Sequence, residues 1–163
     1  MRARDLTTYP IREAATASDV AHARALFEEY AEWLAIDLCF QGFEEELATL
    51  PGKYAPPRGR LFLAGDATDP VGCIALRPLD EPGVGEVKRL YVRPVARGTG
   101  LGRALAETVI EHARAIGYRE LRLDTADWMH EAIRLYATLG FKERPPYYHN
   151  PMPGVVFMSL ALS

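Results

Sequence analysis

Residues 90–103 read LYVRPVARGTGLGR, and this stretch decides the fold. It runs from an apolar, strand-like segment into the start of a helix, where free backbone N–H groups and the helix dipole favour an anion. Three of its residues are glycines, which let the backbone come close to phosphate oxygens, and the two arginines that flank the glycines add positive charge. These residues are Gly98, Gly100, Gly102, Arg97 and Arg103. The stretch therefore predicts a pyrophosphate site.

The segments on either side of this loop predict a mixed sheet. Residues 60–64, 71–79 and 86–92 are strand-like and are separated by short turns, which indicates an antiparallel meander. After residue 86 the order is strand, helix (100–116) and strand (120–124), which requires a right-handed crossover and a parallel strand pair. The fold class is therefore α/β, with the meander first and a βαβ crossover second.

The remaining segments complete the predicted elements. A first strand is expected at residues 9–13, and Ser18 and Asp127 are predicted to cap two of the helices. Phe43, Leu47 and Leu50 share one face of a short helix that Pro51 and Gly52 end. Two further strands are expected at 141–143 and 155–162, and Gly117 and Gly140 are predicted to end the helices that precede them.

Composition limits the class of protein. The chain has 163 residues, of which 48% are hydrophobic, and a formal net charge of −3. We expect one domain over residues 1–163, no nucleic-acid partner, no membrane span and no secretory signal. Cys39 and Cys73 lie in apolar stretches and are predicted to be reduced core residues in a cytoplasmic protein. The four histidines fit no metal spacing, so no metal is expected, and the sequence leaves open whether a homodimer forms.

Two common phosphate-binding patterns do not fit the loop. A Rossmann motif counted from Gly98 would need a third glycine where Arg103 stands, and no Walker A sequence is present. What fits is Arg-x-x-Gly-x-Gly, formed by Arg97, Gly100 and Gly102, which resembles the acetyl-CoA loop of the GNAT superfamily of N-acetyltransferases. Residues 132–141, AIRLYATLGF, resemble that family's second motif, a helix with a tyrosine that ends in Gly-Phe.

The resemblance implies a GNAT-like sheet with helices on both faces and acetyl-CoA as co-substrate. It also implies a β-bulge in strand 86–92, and the hydrophobic residues there do change phase between Val87 and Leu90. The bulge would splay this strand from the next and admit the pantetheine arm. The cofactor-binding residues implied are Leu90, Tyr91, Val92, Arg97, Gly98, Thr99, Gly100, Leu101, Gly102 and Arg103.

The resemblance further implies two catalytic residues. Tyr136 matches the tyrosine that protonates the departing thiolate, and Glu86 stands where family members place a carboxylate that removes the amine proton. Many members carry an asparagine seven residues before the tyrosine, where this chain has Met129. A packed aromatic for Tyr136 and a solvated strand-end carboxylate for Glu86 are the structural alternatives.

Acceptor recognition is expected from the Pro- and aromatic-rich loops, which form stiff walls suited to a small amine or amino acid. The predicted acceptor-binding residues are Phe40, Gln41, Tyr54, Tyr147 and His149. The predicted function is acetyl transfer to a primary amine by direct attack. The alternative is a non-catalytic acyl-CoA-binding sensor or interaction domain.

Overall fold

The computed structural model describes residues 9–35 and 42–162. The helices are α1 (Ala17–Leu34), α2 (Phe43–Thr49), α3 (Leu101–Ile116) and α4 (His130–Thr138). The strands are β1 (Ile11–Glu13), β2 (Arg60–Asp66), β3 (Asp69–Pro78), β4 (Val84–Val92), β5 (Glu120–Ala126), β6 (Lys142–Arg144) and β7 (Val155–Ala161). Every element predicted from the sequence is present, with shifts of a few residues at the ends. Among the described residues no helix is both long and apolar enough to cross a bilayer.

The seven strands form one mixed sheet in the order β1-β2-β3-β4-β5-β7-β6. Strands β1 to β4 are an antiparallel meander, and α3 then crosses over so that β5 pairs with β4 in parallel. β7 returns between β5 and β6 and is antiparallel to both. The predicted meander, crossover and parallel pair are confirmed.

Each face of the sheet carries its own hydrophobic core. On one face α3 packs through Leu105 and Val109 onto strand residues such as Ile74 and Leu121. On the other face Leu26 and Phe27 of α1 pack against residues that include Tyr54, Leu61 and Cys73. The prediction of helices on both faces is confirmed, and so is the buried, reduced state of Cys73. Cys39 lies outside the described residues.

Strand β4 contains the predicted bulge. Cys73 of β3 is paired with Tyr91 and Ala75 with Lys88, so two β4 residues, Arg89 and Leu90, oppose a single β3 residue. Arg89 adopts φ +61°, a left-handed conformation that residues with a Cβ adopt at a cost. The extra residue places Leu90 and Val92 on the α3 face, as their hydrophobic phase predicts.

Two predicted helix caps are wrong. Helix α1 begins after Thr16, whose side chain accepts the Asp19 N–H, so Ser18 lies inside the helix. Thr16 is the cap instead of Ser18 because the Asp19 carboxylate also accepts the Thr16 N–H. This capping box satisfies two backbone donors together. Helix α4 is preceded by Met129, which makes no side-chain cap, while the Asp127 N–H donates to the Gly154 carbonyl in a turn.

The Asp19 carboxylate joins the capping box to β1, and its loss should destabilise the fold. It is buried and pairs with Arg12 at 2.7 Å. The hydrogen bond from Arg12 and the backbone N–H of Ala15 hold its pKa far below the usual range. We expect Asp19→Ala to lower the free energy of unfolding by about 1–3 kcal/mol at pH 7 in chemical denaturation.

The pH dependence of this loss has a definite sign. Because the folded-state pKa of Asp19 is depressed, its contribution is complete above the ordinary value of about 3.9 and is lost as the pH falls below it. The difference in unfolding free energy between wild type and Asp19→Ala should therefore shrink in acid. A difference that is constant from neutral pH to about pH 3 would contradict the ion pair.

Candidate active site

A gap opens where β4 and β5 part. Their parallel pairing covers Val84–Glu86 and Glu120–Arg122 and goes no further, although both strands continue. The Arg93 N–H bonds the Val71 carbonyl of β3 at 2.8 Å. By the alternation of an antiparallel ladder, Val92 and Leu90 direct their backbone groups away from β3 and toward the gap. This exposed backbone edge can bind an extended amide chain as an added strand.

The glycine loop lies at the wide end of the gap. Gly98 and Gly100 have φ values of +77° and +87°, and a Cβ at Gly98 would meet no atom within 4 Å. The hydrogen bond from the Ala104 N–H to the Gly100 carbonyl begins the helical pattern of α3. The N–H groups of Leu101 and Gly102 therefore precede the hydrogen-bonded part of α3 and can face an anion.

The two arginines of the loop are held by protein partners. Arg97 donates to the Val92 carbonyl at 2.9 Å, and its guanidinium lies 5.1 Å from the centre of the Trp33 ring. Arg103 bridges α3 to α4 by donating to Thr138 at 2.9 Å. Both stay beside the loop at its surface, and their contact with phosphate remains a prediction. Trp128 packs against Trp33, with ring centres 5.4 Å apart, so two half-exposed tryptophans border this end of the gap.

Tyr136 projects from α4 and packs edge-on against Phe141. Its side chain is buried, and burial together with the nearby Tyr30 and Asp124 raises the pKa of its hydroxyl. Because its pKa is raised, the Tyr136 hydroxyl is protonated at neutral pH.

Glu86 lies at the narrow end of the gap, on the last residue pair before the strands part. It is 1% exposed, and both of its oxygens are occupied. Arg77 donates to Oε1 at 2.8 Å, and the Tyr147 hydroxyl donates to Oε2 at 2.6 Å. Burial alone would raise the pKa of Glu86, but the charges of Lys88 and Arg77 outweigh it and lower the pKa. This carboxylate is ionised and firmly held.

Asp124 is a second carboxylate at the gap, and the sequence reasoning missed it. It stands on β5 two residues beyond the last β4 pair. The Tyr148 hydroxyl donates to it, and Asn150 in turn donates to Tyr148 at 2.8 Å. The alternation of Leu121 and Leu123 already indicates that Asp124 faces away from their core, but not what it meets there.

The predicted acceptor residues have different surroundings. Tyr54 is buried, packs against Phe27 and donates to Glu46 at 3.0 Å, so the proton of its hydroxyl is already used in a hydrogen bond within the protein. Tyr147 covers Glu86, and His149 is exposed in the same segment. Their contact with an acceptor stays a prediction. Phe40 and Gln41 lie outside the described residues.

A buried ion pair ties α2 to the bulge. The Arg89 guanidinium donates to both carboxylate oxygens of Glu46, at 2.7 and 2.9 Å, and the two side chains are 3% and 13% exposed. A cleft of about 170 Å³ lies beside this pair, between α2, β3 and the 3₁₀ turn that contains Tyr54. The pair therefore fixes α2 relative to the bulged strand.

Together these features fit acetyl-CoA. The gap offers a backbone edge for a pantetheine arm, the loop offers glycines and N–H donors for a pyrophosphate, and Tyr136 supplies a protonated hydroxyl on α4. The described residues contain no group of three or more side chains that could hold a metal ion.

Known proteins agree with this arrangement. The acetyltransferase (GNAT) family model matches residues 23–141. An uncharacterized N-acetyltransferase of Schizosaccharomyces pombe is 43% identical over 146 residues, which cover 89% of this chain and 90% of that protein. A GNAT-family acetyltransferase structure from Staphylococcus aureus superposes with a TM-score of 0.78 at 21% identity, covering 95% of this chain and 99% of that one.

One solved neighbour contains the co-substrate. It is an acetyltransferase from Salmonella typhimurium with its cofactor acetyl-CoA, which superposes with a TM-score of 0.68 at 22% identity and covers 95% of this chain and 94% of its own. With the family model spanning most of the sequence and a close relative spanning nearly all of it, the chain belongs to the GNAT family of acetyltransferases and is an acyltransferase.

Proposed function

We propose that the protein transfers the acetyl group of acetyl-CoA to the primary amine of a small molecule or amino acid by direct attack. The observation that carries the proposal is the gap between β4 and β5, with the bulge and Glu86 on its β4 side. The cytoplasmic location and the homodimer stay predictions.

The chain's own residues divide the binding of acetyl-CoA among three places. Leu90 and Val92 offer backbone groups to the pantetheine arm, and Gly98 to Arg103 offer glycine backbone and helix N–H donors to the pyrophosphate. A backbone N–H of the bulged segment faces the thioester carbonyl and stabilises the negative charge that develops on its oxygen. Tyr91 lies between Leu90 and Val92 in β4, and Arg97 flanks the glycine loop beside the pyrophosphate.

In the reaction the amine nitrogen bonds to the carbonyl carbon, the carbon–sulfur bond breaks, and the amine gives up a proton. The departing sulfur receives a hydrogen bond or proton from the Tyr136 hydroxyl. Glu86 has the position expected of the group that removes the amine proton, but its lowered pKa makes it a weak base. Its bonds to Arg77 and Tyr147 support a second role, that of holding the acceptor face in shape.

A small acceptor is supported by the dimensions and stiffness of this face. Tyr147, Tyr148 and Phe157 pack edge to face with ring centres 5.3–5.4 Å apart and cover the β5 side. The 170 Å³ cleft beside Glu46 is smaller than a typical drug-sized pocket of about 300–1,000 Å³. A rigid aromatic wall and a cleft of this size each suit a compact amine better than a protein segment.

The acceptor class is tested by a competition. We expect free coenzyme A release with at least one compact amine or amino acid from a broad panel, at a kcat/KM at least about tenfold above that of any peptide with a free amino terminus. Mass spectrometry of the products identifies the acetylated nitrogen. Turnover of peptides or proteins alone would replace the small acceptor with a protein acceptor.

A further inference from the structure

Asp124 is the carboxylate of the gap that the reaction scheme leaves without a role. It lies on β5 just past the point where the strands part, on the face opposite Leu121 and Leu123. Glu86, on β4, is almost fully covered, whereas Asp124 is only partly buried. The two carboxylates therefore stand on opposite strands of the same opening, and Asp124 is the accessible one.

A directional chain of hydrogen bonds fixes the Asp124 side chain. The Met152 N–H donates to the side-chain Oδ1 of Asn150 at 2.9 Å, and the side-chain amide Nδ2 of Asn150 donates to the Tyr148 hydroxyl. That hydroxyl in turn donates to Oδ2 of Asp124. Because the chain enters through one oxygen, it orients the carboxylate and leaves Oδ1 with capacity for a further donor.

Aromatic residues surround the described contacts of this carboxylate. Phe157 of β7 is its partner in the strand register, and the rings of Tyr147, Tyr148 and Phe157 pack edge to face against one another. The charge of Asp124 also contributes to the raised pKa of Tyr147 and of Tyr148, as a smaller effect beside that of burial. The carboxylate thus lies against the aromatic segment that covers β5.

We propose that Asp124 binds the ammonium group of the acceptor in a tyrosine-lined site at the fork of β4 and β5. The site rests on the proposed acetyltransferase function and names the charged form of its acceptor as the ligand. A carboxylate gives an ammonium a charge-assisted hydrogen bond, and aromatic faces attract cations. Asp124 lies two residues past the last β4–β5 pair, so an amine held here lies at the gap that is proposed to admit the pantetheine arm.

The test measures binding to the complex with coenzyme A, in which no turnover occurs. The probe is the best amine of the panel, compared by calorimetry with the corresponding alcohol, in which a hydroxyl replaces the amino group. We expect Asp124→Asn to weaken amine binding about 10- to 100-fold and to leave alcohol and acetyl-CoA binding within about twofold. Asp127→Asn, the same change at an exposed position on the following turn, is the matched control and should change none of the three.

Two results overturn the site. One is equal loss of amine and alcohol binding in Asp124→Asn, or no loss of either. The other needs no variant, since wild type that binds the alcohol as tightly as the amine has no anionic site for the acceptor. If no amine of the panel is acetylated, the proposed function fails, and the same calorimetric comparison, made with the amine of the panel that binds most tightly, still decides the site.

Discussion

Gly100→Asp is expected to abolish the rise in melting temperature that acetyl-CoA gives the wild-type protein. Gly100 precedes α3 with φ +87°, at the place where the loop and the helix N–H groups can meet the pyrophosphate. A carboxylate there adds bulk and a negative charge against a negative ligand. We expect the dissociation constant to rise about 100-fold or more, which removes the stabilisation at ligand concentrations that saturate wild type.

Gly100→Asn is the matched control for this variant. Asparagine has nearly the shape of aspartate and adopts the left-handed conformation about as well, but it carries no charge. It should keep a clear melting-temperature shift, weaker than that of wild type. Equal shifts in wild type and a folded Gly100→Asp would place the pyrophosphate elsewhere.

Tyr136→Phe is expected to lower kcat by about 10²- to 10⁴-fold, equivalent to roughly 3–5 kcal/mol of barrier. The hydroxyl is buried beside the gap with a raised pKa, so it stays protonated and can donate to a departing thiolate. Full proton transfer to a thiolate with a pKa near ~8.5 is uphill from a phenol of about 10 or above. A hydrogen bond that strengthens as the thiolate forms supplies the benefit, so acetyl-CoA affinity should change little.

Tyr118→Phe provides the control for removing a buried tyrosine hydroxyl. Tyr118 is as buried as Tyr136, but its hydroxyl donates to the Arg58 carbonyl at 2.7 Å, and its ring packs beside Gly85 in the paired part of β4 and β5. Its loss should lower stability and leave kcat within about twofold. A kcat for Tyr136→Phe that matches the Tyr118→Phe value would reduce Tyr136 to a packed aromatic residue.

Most of the fold could be predicted from the sequence because its signals are local. The short turns between residues 60 and 92 indicate a meander, and the phase change between Val87 and Leu90 indicates the bulge that the register confirms. The place of β7 between β5 and β6 has no local signal, because strand order at an edge depends on tertiary packing. The Thr16 cap was missed because two candidate hydroxyls lie within three residues, and the choice depends on Asp19 reaching back.

The candidate site also has features that the sequence could predict and features that it could not. The glycine loop and Tyr136 could be found because their residues are contiguous and resemble motifs of the family. The contacts of Glu86 with Arg77 and Tyr147 join residues 9 and 61 positions apart. Asp124 and Tyr148 likewise meet across 24 positions. Pairings of this kind come from the sheet register and from the loop that covers it, and no spacing rule reports them.

Amine-dependent release of coenzyme A is the measurement that tests the account most directly. Purified protein is mixed with acetyl-CoA, with and without the best amine of the panel, and the free thiol and the acetylated amine are quantified together. The account predicts equal amounts of the two products, catalytic turnover in wild type and a collapse of both rates in Tyr136→Phe. Tight acetyl-CoA binding with no amine-dependent thiol release from any acceptor would contradict it and leave a domain that binds acyl-CoA without using it.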